Sequence, residues 1–327
     1  MDILNILKLA LGEMLSPTTI TFVLCALGLA VHFGFTGLLN FGQAAFAAVG
    51  AYGMVISIDT LKLPLFLAVL MGILCSMIFA LILGIPTLRL RADYLAIVTI
   101  ATAEVFRYFM TTIGFSKVTG GSNGLSQFGS EFWAMNPIPE GNYNFGFVSY
   151  RADQLYVLIV GWGAVIIGAL ILRLLMRSPW GRVLKGIRED EDAVRSLGKN
   201  VFFYKLQALM IGGVFASIGG MIFVLNLSNV QPQVWTTNFT FTIWSVLLLG
   251  GAATILGPIA GGMIFIAVIS VTQGIMSGLV ELGWLPFLSQ PDIAQIRLLL
   301  IGLSLMLLVI FRPQGLFGNK KETQFNG

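Results

Sequence analysis

Nothing limits the folding options of this chain more than its repeated runs of about 20 apolar residues, each as long as a bilayer's hydrocarbon core requires. Leu65–Thr87 reads LFLAVLMGILCSMIFALILGIPT, with no Asp, Glu, Lys or Arg. In hydrocarbon a backbone must satisfy its own hydrogen bonds, so such a run spans as a helix. Only 10% of the residues are charged, against about 25% in soluble domains, and most of that charge lies in the segments between runs. The sequence therefore predicts an all-α polytopic membrane protein, a compact bundle of about nine or ten transmembrane helices.

Nine spans follow from a helical window: Pro17–Phe33, Phe41–Ser57, Leu65–Thr87, Tyr94–Ile113, Gln154–Leu175, Leu206–Leu227, Phe239–Ile255, Pro258–Val280 and Ile296–Phe311. The first fifteen residues carry Asp2, Lys8 and Glu13 and lack the order of a cleavable signal. They read as an interfacial amphipathic helix or a poor additional span, which would raise the count to ten. Basic residues cluster in three segments: Arg89 and Arg91; Arg173, Arg177, Arg182, Lys185, Arg188, Arg195, Lys199 and Lys205; and Arg312, Lys320 and Lys321. All three fall on one side, which the positive-inside rule makes cytoplasmic, together with the C-terminus. One domain results over 1–327: a first set of spans at 16–175, a charged cytoplasmic loop at 176–205, a second set at 206–312 and a tail at 313–327. Small-residue patches, LLNFGQAAFAAVGAYG and LLLGGAATILGPIAGG, recur in the two sets. That layout permits two halves of inverted topology.

Several functions are disfavoured. No G-x-x-x-x-G-K-[ST] phosphate loop is present, and GWGAVIIG in the fifth span lacks dinucleotide-binding spacing. His32 is the single histidine and reads as a core or interface residue; Cys25 and Cys75 have no metal-ligand spacing. No catalytic set and no metal site is expected, and the net charge of +4 is a topology signal rather than a nucleic-acid footprint.

The cytoplasmic loop is the informative segment. SPWGRVLKGIREDEDAVRSLGKN places Val183, Leu184, Ile187, Ala193, Val194 and Leu197 at helical spacing, with Pro179 near a helix start and glycines ending turns. One or two short helices are predicted, whose apolar side needs a partner groove. Arg182, Lys185, Arg188, Glu189, Asp190, Glu191, Asp192 and Arg195 form a charged rim able to set register on that partner. Asp192, Ala193, Val194 and Gly198 resemble the signature loop of ABC importer permeases, with Asp for the usual Glu and Val for one Ala.

Along most of its length the chain resembles the branched-chain (hydrophobic) amino-acid ABC transporter permease family, and the longer of that family's two permease types. The residues that carry this are GFTGLLNFGQAAFAAVGAY (34–52), LRLRADYLAIVT (88–99) with Glu104 and Arg107, TGGSNGL (119–125), the loop 178–198, GGAATILGP (250–258) and FRPQGL (311–316). Gln43 stands where the family often has histidine, and Ala92 where glycine is common. The resemblance implies a type II-like importer permease of the bacterial inner membrane. Its partners would be a second, often non-identical permease, two ATPase subunits that bind ATP and Mg, an extracytoplasmic solute-binding protein and membrane lipid. No cofactor is expected in this chain. The implied cargo is a branched-chain or other neutral amino acid. A urea or short-amide importer and a stand-alone secondary transporter are the alternatives.

Polar residues within the spans are the candidate path. Glu104 and Arg107 share a helix face and form either a packing salt bridge or part of a gate. Asn40 and Gln43 either line the path or hydrogen-bond across helices. Thr119, Gly120, Gly121, Ser122 and Asn123 form an outward turn or a docking surface for the binding protein.

Overall fold

The computed structural model describes residues 3–89, 92–145, 148–282 and 314–318, with separate positions between 292 and 311. Its helices are α1 (Ile3–Leu15), α2 (Pro17–Leu29), α3 (Gln43–Asp59), α4 (Leu65–Thr87), α5 (Ala92–Thr111), α6 (Ser116–Thr119), α7 (Ser130–Ala134), α8 (Ala152–Arg177), α9 (Pro179–Glu189), α10 (Glu191–Ser196), α11 (Val201–Leu227), α12 (Thr237–Gly250) and α13 (Leu256–Glu281). A π-helical turn, Ala30–Phe35, continues α2. Two-residue strands β1 (Leu125–Ser126) and β4 (Asn229–Val230) pair antiparallel, as do β2 (Asn142–Asn144) and β3 (Ser149–Arg151).

Among the described residues, five helices are long and apolar enough to cross a membrane: Pro17–Phe35, α4, α8, α11 and α13. A sixth span results if Tyr94–Thr111 and Ile113–Thr119, bent by 63°, count as one. Gln43–Asp59 and Thr237–Gly250 are shorter apolar helices. The first eight expected spans thus all fall on helices, and the chain is a multi-pass membrane protein. The ninth, Ile296–Phe311, and Arg91, Arg312, Lys320 and Lys321 lie outside the continuously described residues. α1 is a helix of 13 residues, rising about 20 Å, less than the hydrocarbon thickness of about 30 Å. It lies along α13, with Ile6 against Gly274. Ser16 breaks it from α2: its hydroxyl accepts from Thr19 N (3.3 Å), and Pro17 opens the new helix.

The centre of the bundle is α2, buried from Thr19 to Leu29 and packed between α11, α12 and α13. Side chains vanish where backbones cross. A Cβ on Gly28 would strike the Gly212 carbonyl, one on Gly50 the Ser217 side chain, and one on Gly220 the Ala47 carbonyl. Without a hydrophobic drive between helices in lipid, such close approach is how they bind one another. The outer helices invert the soluble pattern: Ile82 on α4, Leu174 on α8 and Val268 on α13 are exposed.

Candidate functional site

The break after α2 organises the interior. The π-turn places His32, Asn40 and Gln43 together, with relative exposures of 0%, 1% and 0%. Asn40 Oδ1 accepts from Gly42 N at 2.8 Å, which fixes its amide orientation. Its Nδ2 then donates both to His32 Nδ1 and to Gln43 Oε1, each at 3.0 Å. His32 Nδ1 must accept, so Nε2–H is the donor to the Leu209 carbonyl at 3.1 Å. Gln43 Nε2 donates to Cys25 O at 3.0 Å. The flanking residues are tied down too: Phe41 N donates to Thr99 Oγ1 (3.0 Å), Ala44 N to Thr240 Oγ1 (3.1 Å), and Trp244 Nε1 to the Asn40 carbonyl (3.2 Å). Of the two readings open to Asn40 and Gln43, the geometry is that of hydrogen bonding across helices. The network is closed and neutral, joining α2, α3, α5, α11 and α12.

The charged loop folds as two helices broken at Asp190. Ser178 and Pro179 start α9, and Asp190 caps α10 by accepting from Ala193 N at 2.9 Å. Gly198 follows α10 at φ +75°, the left-handed conformation that a glycine adopts without Cβ strain. Leu184 and Ile187 are buried against the chain's own α8, α11 and π-turn. This corrects the expectation that the α9 apolar side needs a foreign groove. What stays open is α10, where Ala193 is exposed and Leu197 is 78% exposed. Arg195 bridges Asp192 (2.7 Å) and Glu191 (2.8 Å), and Glu191 also pairs with Lys205 at the base of α11. Arg188 is the inward key: its side chain is 9% exposed, donates to the Gly34 carbonyl in the π-turn and lies against Gly37. Arg182 and Glu189 point outward. Gly34 in turn abuts the Ala252 carbonyl, and Leu316 N and Phe317 N donate to Leu249 O (2.8 Å) and Gly250 O (2.9 Å). The GGAATILGP turn, residues 314–318, the π-turn and α9 therefore form one layer at the basic end of the bundle.

Glu104 and Arg107 pair at 2.7 Å, with side chains 30% and 18% exposed. Thr237 Oγ1 on α12 donates to Glu104 Oε1 at 2.9 Å, and the Arg107 guanidinium sits 4.4 Å over the Tyr108 ring. A lone charge at mid-membrane costs about 2.5–3.5 kcal/mol on insertion scales, and this pairing offsets part of that. At the opposite end, Thr119 is buried and its hydroxyl donates to the Met110 carbonyl (3.0 Å) and accepts from Gly121 N (3.2 Å). Gly120, Gly121 and Gly124 all have positive φ, and Gly124 abuts the Val230 carbonyl. TGGSNGL is thus a left-handed turn pinned beside the β1–β4 ladder, and only Ser122 and Asn123 of the five candidates are exposed.

A family model described as "Branched-chain amino acid transport system / permease component" matches residues 13–310. The chain belongs to that permease family. Among its relatives is the high-affinity branched-chain amino acid transport system permease protein LivM of Salmonella typhimurium, 30% identical over 92% of this chain and 69% of the relative. The probable LivM of Methanocaldococcus jannaschii is 23% identical over 91% of both chains. A nucleoside ABC transporter permease protein, NupC of Lactococcus lactis, is 23% identical over 70% of this chain and 71% of its own.

Within this permease, sequence reasoning missed His32 as the hub of the polar network. Its signal was the local one of a histidine eight residues before Asn40, in a segment where Gly34 and Gly37 break the helix. A π-turn inside a span is often a functional feature. It also missed Arg188 as a tether rather than a rim charge.

Proposed function

We propose that this permease is the membrane subunit of an ABC importer for branched-chain and related neutral amino acids. It pairs with a second permease, two ATPases that bind ATP and Mg, and an extracytoplasmic binding protein that delivers the cargo. The α9–α10 unit and the C-terminus face the cytoplasm, where the basic residues concentrate. The observation that carries this reading is the construction of the α9–α10 unit. Its inner side is held by Leu184, Ile187 and Arg188, while its outer side offers Ala193, Leu197 and paired charges. A rigid element with one anchored and one open face is suited to receive motion from a partner. ATP favours one orientation of the bundle only through contacts that differ between orientations. Here the contact on α10 passes to the π-turn through Arg188, and from there to α2 and the α12–α13 turn. The cargo path runs along the open face of α5, where Glu104 and Arg107 lie among exposed Val105 and Tyr108.

The test is reconstitution with the cognate ATPases, partner permease and binding protein in liposomes, reading ATP-dependent uptake of leucine. Leu197→Asp is expected to abolish both ATPase co-purification and uptake while the bundle keeps its helical signal. Retained ATPase binding by that variant refutes the docking role of α10. Uptake of urea in preference to leucine refutes the cargo assignment, and uptake without ATP or partners refutes the subunit reading.

A further inference from the structure

A cleft of ≈ 820 Å³ opens between the last turns of α8 and the start of α13, beside the layer that holds α9. Its walls differ in kind. Ile166 and Leu170 on α8 and Ile259 on α13 make the deeper part apolar. Arg173 and Arg177 rim it on one side, with Lys185 nearby, and among the described lining residues there is no Asp or Glu. Arg173 and Arg177 are four residues apart and so share a face of α8, both exposed. They repel one another there, at the end of a span of 26 residues. Burial within the bundle is not an option for these side chains, and the headgroup level is where a basic side chain at a span's end settles.

We propose that this cleft is a binding site for an anionic glycerophospholipid. An acyl chain lies on Ile166, Leu170 and Ile259, and the headgroup phosphate lies between Arg173 and Arg177. The charge complementarity selects this occupant over a zwitterionic lipid, because the latter brings a cation beside two arginines that already repel one another. The site touches the loop of α9 through Lys185, so an occupied cleft joins α8 to the segment that carries Arg188.

The full-length chain, with the subunits that co-purify with it, is assembled in nanodiscs of equal phosphatidylglycerol and phosphatidylcholine. It is then released for native mass spectrometry, and retained lipids are counted. The wild-type protein is expected to retain phosphatidylglycerol about tenfold over phosphatidylcholine. Arg173→Gln with Arg177→Gln is expected to bring the ratio to unity. Ile259→Trp, which obstructs the apolar wall and leaves every charge in place, is expected to do the same. Lys199→Gln, an exposed charge not lining the cleft, is expected to change nothing. Equal retention of both lipids by the wild type overturns the proposal. So does a preference that survives either cleft variant, or one erased by Lys199→Gln, which would mark diffuse surface attraction.

Discussion

Replacing Asn40 by Ala tests the polar network most directly. The side chain makes three hydrogen bonds: to His32 Nδ1 (3.0 Å), to Gln43 Oε1 (3.0 Å) and from Gly42 N (2.8 Å). All three partners lie in the closed interior, so each loses its bond without gaining water. Side-chain hydrogen bonds within membranes average about 0.6 kcal/mol and reach about 1.7, and an unsatisfied buried group costs about 1–3 kcal/mol. Three such losses sum to about 2–5 kcal/mol. Thr99→Val serves as the scale: it is nearly isosteric and removes two bonds, that from Phe41 N and that to the Ala96 carbonyl in the same helix, for about 1 kcal/mol. Both variants are unfolded by SDS titration in mixed micelles and followed by tryptophan fluorescence. Trp244, which donates to the Asn40 carbonyl, reports on the same locus. The double variant Asn40→Ala with Gln43→Leu is expected to cost less than the sum of its parts, because the two residues share a bond. Asn40→Ala costing no more than Thr99→Val, or full additivity with Gln43→Leu, refutes the closed-network reasoning.

Gly212→Ala sets a Cβ against His32 Nε2 and 2.5 Å from the Gly28 carbonyl oxygen; a loss of about 1–3 kcal/mol is expected from overpacking, read as a lower melting temperature in detergent. Gly198→Ala meets no atom within 4 Å but holds φ +75°, so it costs about 1–2 kcal/mol through the backbone alone. Hydrogen exchange is expected to quicken in α10 and stay unchanged in α11. Arg188→Ala removes the tether to Gly34; ATP hydrolysis by the reconstituted complex is expected to continue while leucine uptake falls more than tenfold, and undiminished uptake rules out the tether.

What the sequence determined by itself is whatever depends on neighbours along one helix. Apolar runs matching the hydrocarbon thickness located eight helices, because lipid enforces helix on any such run. Pro179 and Gly198 marked the outer limits of α9 and α10, since such end signals act within a turn. The Glu104–Arg107 pair was readable from a spacing of three. Only the tertiary structure decided the rest. His32 finds its acceptor at Leu209, 177 residues away, and no periodicity carries that distance. The α9 stripe was correctly seen as apolar, but whether its cover is the chain itself or a partner depends on where α8, α11 and the π-turn sit. Likewise a run of glycines announced a turn at TGGSNGL, while the carbonyl of Val230 that pins it belongs to a strand after α11. Hydropathy and caps are properties of a segment. Partnership across a bundle follows from which small residues let two backbones meet, and that is settled only when all the helices are in place.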